Sequence, residues 1–258
     1  MKRLLLAVIM LVVSTAVILP VWWATAVTTL PTLESEFDLE RFLRDRIEGE
    51  RAANYPGGRV PDRALIAFRT PELARYPKDM VGLYIAGYGC PTYFQSPRET
   101  AWPWFLRLVR YQLLRTEGPP GSADCEFQFA RHLVWAIRIR GGLRETIAIS
   151  RIRDLLPKGK LVAYDLATQE FDAGVVGLES AAEALYQRKL ESLKLDELAE
   201  LSLALPPSHA FQQLRLCANA SALRQARDSA LVEMANQSLI PVDRARQAQA
   251  QPLACMKI

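Results

Sequence analysis

The sequence predicts a mainly α-helical protein with a membrane helix at its front. Three observations point there: an uncharged opening from Leu4 to Leu33, helix-length segments of apolar periodicity divided by Pro and Gly, and a near absence of strand patterns from residue 120 onward. The chain has 258 residues, half of them hydrophobic, so a sizeable core can be buried. Its 32 Lys and Arg stand against 28 Asp and Glu, and Lys2 and Arg3 carry part of the +4 excess. That balance excludes a disordered polyelectrolyte and gives no charge argument for a nucleic-acid partner. The 13 Gly, 16 Pro and 4 Cys are scattered, which excludes a collagen-like repeat, a disulfide-dense mini-protein and a Cys-rich zinc module.

Residues 1–3 read as a cytoplasmic tip and 4–26 as a transmembrane anchor, because the uncharged run exceeds the roughly 20 residues a spanning helix needs. Lys2 and Arg3 set the orientation, and Trp22 and Trp23 suit the far interface. Ala24-Thr25-Ala26 leaves a cleaved signal peptide open as an alternative. Residues 27–60 read as a stalk or packing helix, on the pattern Phe37, Leu39, Phe42, Leu43, Ile47, ending near Pro56-Gly57-Gly58. The remaining domain, 61–258, opens with a short helix at 64–68 and chain punctuated by Pro71 and Pro77. A Gly- and Tyr-rich stretch at 82–89 follows, with its state undecided. Ser96-Pro97-Arg98-Glu99 has capping-box spacing, although Pro103 allows the helix to begin there instead. Gly118-Pro119-Pro120-Gly121 is a loop. Helices are then expected at 124–139, 143–156, 160–167, 178–190, 195–205 and 221–237, with breaks at Gly141-Gly142, Pro157, Pro206-Pro207 and Pro241.

In this order the elements resemble the peptidoglycan glycosyltransferase family, the transglycosylase module of class A penicillin-binding proteins. Phe171-Asp172-Ala173-Gly174-Val175-Val176-Gly177, followed by the small-residue helix from Leu178 to Tyr186, is similar to the family's Phe-Gly-x-Gly-x-x-Gly and the helix after it. Leu193 to Pro206 matches its Leu-x-Leu-x-Glu-x-Ala helix, and the segment from Asn219 to Leu253 follows its closing helices. Gln128-Phe129-Ala130-Arg131-His132 resembles its Gln-Leu-Ala-Lys-Asn motif, and Glu145 to Lys158 resembles the segment around its second glutamate. The resemblance spans about residues 61–253 and implies a lysozyme-like fold, a periplasmic C-terminal domain and a single pass through a bacterial inner membrane.

Members of that family polymerise glycan chains from a lipid-linked disaccharide, which calls for a carboxylate as general base and for cations at the leaving pyrophosphate. Here the two family glutamates fall on Arg69 and Arg153. A guanidinium stays protonated and cannot be a base. No catalytic residue is therefore assigned, and Glu72 and Asp154 are the only nearby substitutes. Arg69, Gln128, Arg131 and Arg153 are the expected phosphate-binding set. The leading expectation is a non-catalytic or weakly catalytic binder of lipid-linked precursor, glycan strand or a cell-wall synthesis partner. The alternatives are an active polymerase using Glu72 and Asp154, or a structural envelope protein with an empty groove. No cofactor or metal is expected, since His132 and His209 have no ligand-spaced partner. Tyr88, Tyr93, Phe94, Trp102, Trp104 and Phe105 with Arg107 and Arg110 suit either a membrane interface or core packing. Cys90, Cys125, Cys217 and Cys255 allow three pairings of two disulfides in an oxidising compartment.

Overall fold

The computed structural model describes residues 21, 24–54, 70–100, 103, 104, 106, 122–172, 175–205 and 220–254. They form a mainly helical protein. Helix α1 (Glu36–Asn54) starts on a reciprocal cap, in which the Ser35 hydroxyl donates to Asp38 at 2.8 Å and the Asp38 N–H donates back to Ser35 Oγ at 3.2 Å. Leu39, Leu43 and Ile47 recur every fourth residue and are buried. Phe37, grouped with them on sequence, sits about 200° round the helix from Leu39 and is 70% exposed. Glu36 and Glu40 tie α1 to the domain through Lys160 and Tyr164, so this segment packs on the core.

Helix α2 (Lys78–Gly87) occupies the Gly- and Tyr-rich stretch. It starts after Pro77 and buries six of its ten residues, Met80, Val81 and Leu83–Ala86. Its Gly82 lets Met234 approach so closely that a Cβ there would lie 2.9 Å from the Met234 methyl. Pro103, Trp104 and Leu106 are helical, whereas Pro97–Thr100 are not, so the capping-box position at Ser96 does not open the helix. Helices α3 (Ser122–Ala136) and α4 (Gly142–Leu155) form a hairpin closed by a turn with positive φ at Arg138, Gly141 and Gly142. Pro157 ends that run and opens α5 (Lys158–Thr168), which packs on α3.

Strands β1 (Glu170–Asp172) and β2 (Val175–Val176) pair antiparallel, a small hairpin too short to show as alternation in the sequence. Gly177 follows with φ of 87°, and a Cβ on it would lie 2.8 Å from the Ala167 carbonyl oxygen. Helix α6 (Leu178–Tyr186) stops at left-handed Gln187, short of the expected residue 190. A 3₁₀ turn (Leu190–Ser192) leads to α7 (Leu195–Ser202), and α8 (Ala220–Asn236) and α9 (Val242–Gln249) complete the chain. Helices α2, α7 and α8 pack together, and α9 lies on α7 and α8. At their centre Arg227 is fully buried and donates to the carbonyls of Gln249 and Gln251 at 3.0 Å, while Glu200 accepts from the Ala254 N–H at 3.0 Å. These bonds fasten the C-terminal segment to α7 and α8.

Among the described residues no helix is long and apolar enough to cross a membrane. This corrects the expected single-pass location in a bacterial inner membrane. Of the span 4–26, residues 4–20, 22 and 23 lie outside the described residues. The described end packs on protein: Ala26, Leu30 and Leu33 are buried in the hydrophobic core. The helical turn at Ala24–Thr28 carries threonine hydroxyls bonded to carbonyls one turn back, and the chain turns at Thr29.

Candidate functional site

The α3–α4 hairpin carries three of the expected residues, Gln128, Arg131 and Arg153, and holds the two arginines in separate ion pairs. Near the start of α3, Glu126 is 2% exposed and faces Arg153 from the end of α4, with 3.4 Å between Oε2 and Nε. Near the other end Arg131 Nε donates to Glu145 Oε1 at 3.1 Å. Glu145 and Arg153 are eight residues apart on one helix, about 12 Å along its axis.

Arg153 is 2% exposed. Besides Glu126 it meets the Glu99 carbonyl, Asp154 at 3.3 Å and the face of Trp104, whose centroid is 4.4 Å from the guanidinium carbon. Glu126 also takes Arg98 at 2.5 Å, and Arg98 in turn donates to the Leu156 carbonyl at 2.6 Å. Lys158 donates to the carbonyls of Tyr93 and Ser96 at 2.6 and 2.7 Å. Its ammonium lies 4.7 Å from the Tyr93 ring centre. Burial holds the Lys158 ammonium below the usual lysine range, with Glu126 opposing that shift and the two arginines adding to it. Two guanidinium groups thus pair with the buried Glu126 carboxylate, and the Lys158 ammonium lies within its electrostatic reach. Burial also pushes the Tyr93 hydroxyl well above the phenol range, reinforced by Glu126.

Arg131 stacks on Trp135, 4.2 Å from its centroid, and lies 5.7 Å from the Phe127 centroid. Gln128 is half-buried on the same helix. Arg69 lies outside the described residues, as do His209, Cys217 and Cys255. Glu72 is exposed ahead of a 3₁₀ turn (Leu73–Arg75), and Asp154 is exposed and paired with Arg153. Cys90 and Cys125 form a disulfide. Of the aromatic stretch, Tyr93 and Trp104 are buried, whereas Phe94 is 44% exposed.

Glu126, Arg98 and Lys158 were not legible as site residues. Glu126 lies far from Arg153 along the chain, and no local motif marks it. A second polar centre was also missed. Asp165, fully buried on α5, accepts from Tyr84 at 2.5 Å and from Gln169, and lies 3.1 Å from His132 Nδ1. The Tyr88 hydroxyl lies 3.4 Å from His132 Nε2. This network joins α2, α3 and α5. Tyr84 and Tyr88 are also among the residues lining a cavity of about 680 Å³ beside α2, α7 and α8. Among the described residues no group of three or more His, Cys, Asp or Glu could hold a metal ion. Neither a protein-family model nor a curated protein sequence matches the chain.

Proposed function

We propose that this protein is a non-catalytic binder of peptidoglycan glycan or its lipid-linked precursor, built on a lysozyme-like helical domain of the peptidoglycan glycosyltransferase kind. One observation carries the proposal. The residue in the place of the second glutamate is a guanidinium that is buried and held by Glu126, the Glu99 carbonyl and the Trp104 face. A permanently protonated, internally paired group can neither take a proton nor move toward a substrate. The cluster around it serves as structure, and ligand contact falls to more exposed cations. The buried Cys90–Cys125 bridge suits an oxidising compartment, where such glycans are assembled.

The test has two arms on the full chain. Incubated with lipid-linked disaccharide, the protein is expected to yield no glycan ladder on a gel, since loss of a general base alone removes about 10²–10⁴ in rate. In co-sedimentation it is expected to bind purified glycan strands or the lipid-linked disaccharide. A glycan ladder formed by the wild-type protein would overturn the non-catalytic assignment. Failure to retain either ligand would overturn the binding one.

A further inference from the structure

We infer that the tip of the α3–α4 hairpin is a docking surface for an acidic, carboxylate-bearing glycan, with Trp135, Arg131, Arg140 and Arg144 as its contacts. The inference rests on the proposed glycan-binding role and gives it a place away from the Arg153 cluster. Residues 131–144 carry four arginines and no Asp or Glu. The next acid, Glu145, is 4% exposed, and its carboxylate is turned inward to Arg131 at 3.1 Å, the Trp135 indole N–H at 3.0 Å and the Gly141 N–H. Its charge therefore organises the tip and is shielded from an incoming anion.

The indole N–H bond to Glu145 fixes the Trp135 ring. With its N–H held, the ring lies 4.2 Å from the Arg131 guanidinium and 5.8 Å from that of Arg140. Such stacks preorganise the guanidinium forks, which match planar carboxylates better than a flexible ammonium does. Arg140 and Arg144 are exposed, and Arg144 is steadied by the Thr29 carbonyl at 3.0 Å. From α1, Arg46 donates to the carbonyls of Trp135 and Ala136 at the C-terminal end of α3, adding positive charge behind the ring. An aromatic ring among guanidinium planes offers flat surfaces for sugar rings and charges for the acid groups between them. The chain's modest net charge, +4, leaves this local run of arginines as a concentrated feature.

The experiment uses the full chain and linear glycan strands freed of their peptides, which carry a carboxylate on every second sugar, beside the same strands with those carboxylates reduced to alcohols. Affinity is read by isothermal calorimetry. The acidic strands should bind, more weakly as salt rises. The reduced strands should bind about tenfold or more weaker, a difference of about 1.4 kcal/mol or more. Arg140→Ala with Arg144→Ala should weaken binding of the acidic strands to a similar degree, with unchanged thermal unfolding because both side chains are exposed. Arg140→Lys with Arg144→Lys should retain part of the binding. If wild type binds and the double alanine variant binds equally, or if reduced strands bind as well as acidic ones, the docking surface is wrong while the glycan-binding role stands. If the wild type binds no strand and no lipid-linked disaccharide, the broader role falls and this inference with it. Preferential binding of an acidic peptide or of nucleic acid over the strands would also overturn the glycan assignment.

Discussion

Replacing Glu126 with Gln keeps the shape of the α3–α4 seam and removes its charge. Both Glu126 and Arg153 have side chains about 3% exposed, so water cannot take over the lost interaction. At 3.4 Å and an effective dielectric of about 20, their attraction is about 5 kcal/mol. Removing one partner of a buried pair typically costs about 3–5 kcal/mol, because the other charge is stranded. Arg98 adds little to this, since its side chain is 30% exposed and solvent screens it. Glu126→Gln is therefore expected to lower stability by about 3–5 kcal/mol, which for a chain of this size is roughly 6–20 °C in Tm. Thermal and urea unfolding followed by far-ultraviolet circular dichroism measure it. Asp243→Asn is the comparison, because its pair with Arg246 is 3.9 Å long and exposed on both sides, and its loss should cost about 0–1 kcal/mol. Pairing Glu126→Leu with Arg153→Met should recover much of the loss, as apolar replacement of a whole buried pair is often close to neutral. A Glu126→Gln variant no less stable than Asp243→Asn would refute the reasoning, as would a double variant that recovers nothing.

Two further outcomes follow from the backbone and from the buried phenols. Gly177→Ala should destabilise by about 1–3 kcal/mol or more, because φ of 87° is costly for any side chain and the new Cβ meets the Ala167 carbonyl oxygen at 2.8 Å; urea midpoints report it. Burial raises the hydroxyls of Tyr76, Tyr84, Tyr93, Tyr164 and Tyr186 above the usual phenol value of 10, so the folded state keeps these protons while the unfolded chain releases them. Their contribution is fully present below pH 10 and is lost as pH rises beyond it. Absorbance at the phenolate band should therefore show these groups ionising together with unfolding, and a smooth titration near pH 10 without unfolding would contradict the burial.

The helices were legible where Pro and Gly bracket an apolar period, as at α4 and α5 between Gly141-Gly142, Pro157 and the end of the apolar run. Helix α2 was not, because Gly82 and Gly87 lower its helix propensity and its burial comes from packing against α7 and α8, a tertiary effect. The β1–β2 hairpin is only three and two residues long and leaves no alternation to detect. At the site, Arg153 stood out because the resemblance led to it. Its partners did not, since a pairing such as Glu126 with Arg153 depends on where the α3–α4 turn falls, and sequence fixes that turn only to within a few residues. The Asp165 network escaped for the same reason, because no local spacing links His132 to Asp165.

The two ion pairs of the hairpin have opposite polarity: acid on α3 and base on α4 at one end, base on α3 and acid on α4 at the other. A slide of α4 that carried Arg153 toward Arg131, or Glu145 toward Glu126, would set like charges face to face in a seam with little water. The pairs thus act as a key with two teeth, rejecting wrong alignments of the helices even if the correct one gains little net stability from them. Inverting one pair, by Glu126→Arg with Arg153→Glu, gives both ends the same polarity. A guanidinium at position 126 would also face Arg98 and Lys158, so the native alignment loses its own pairing along with its penalty on a slipped one. Such a chain would lose stability as well as its single register.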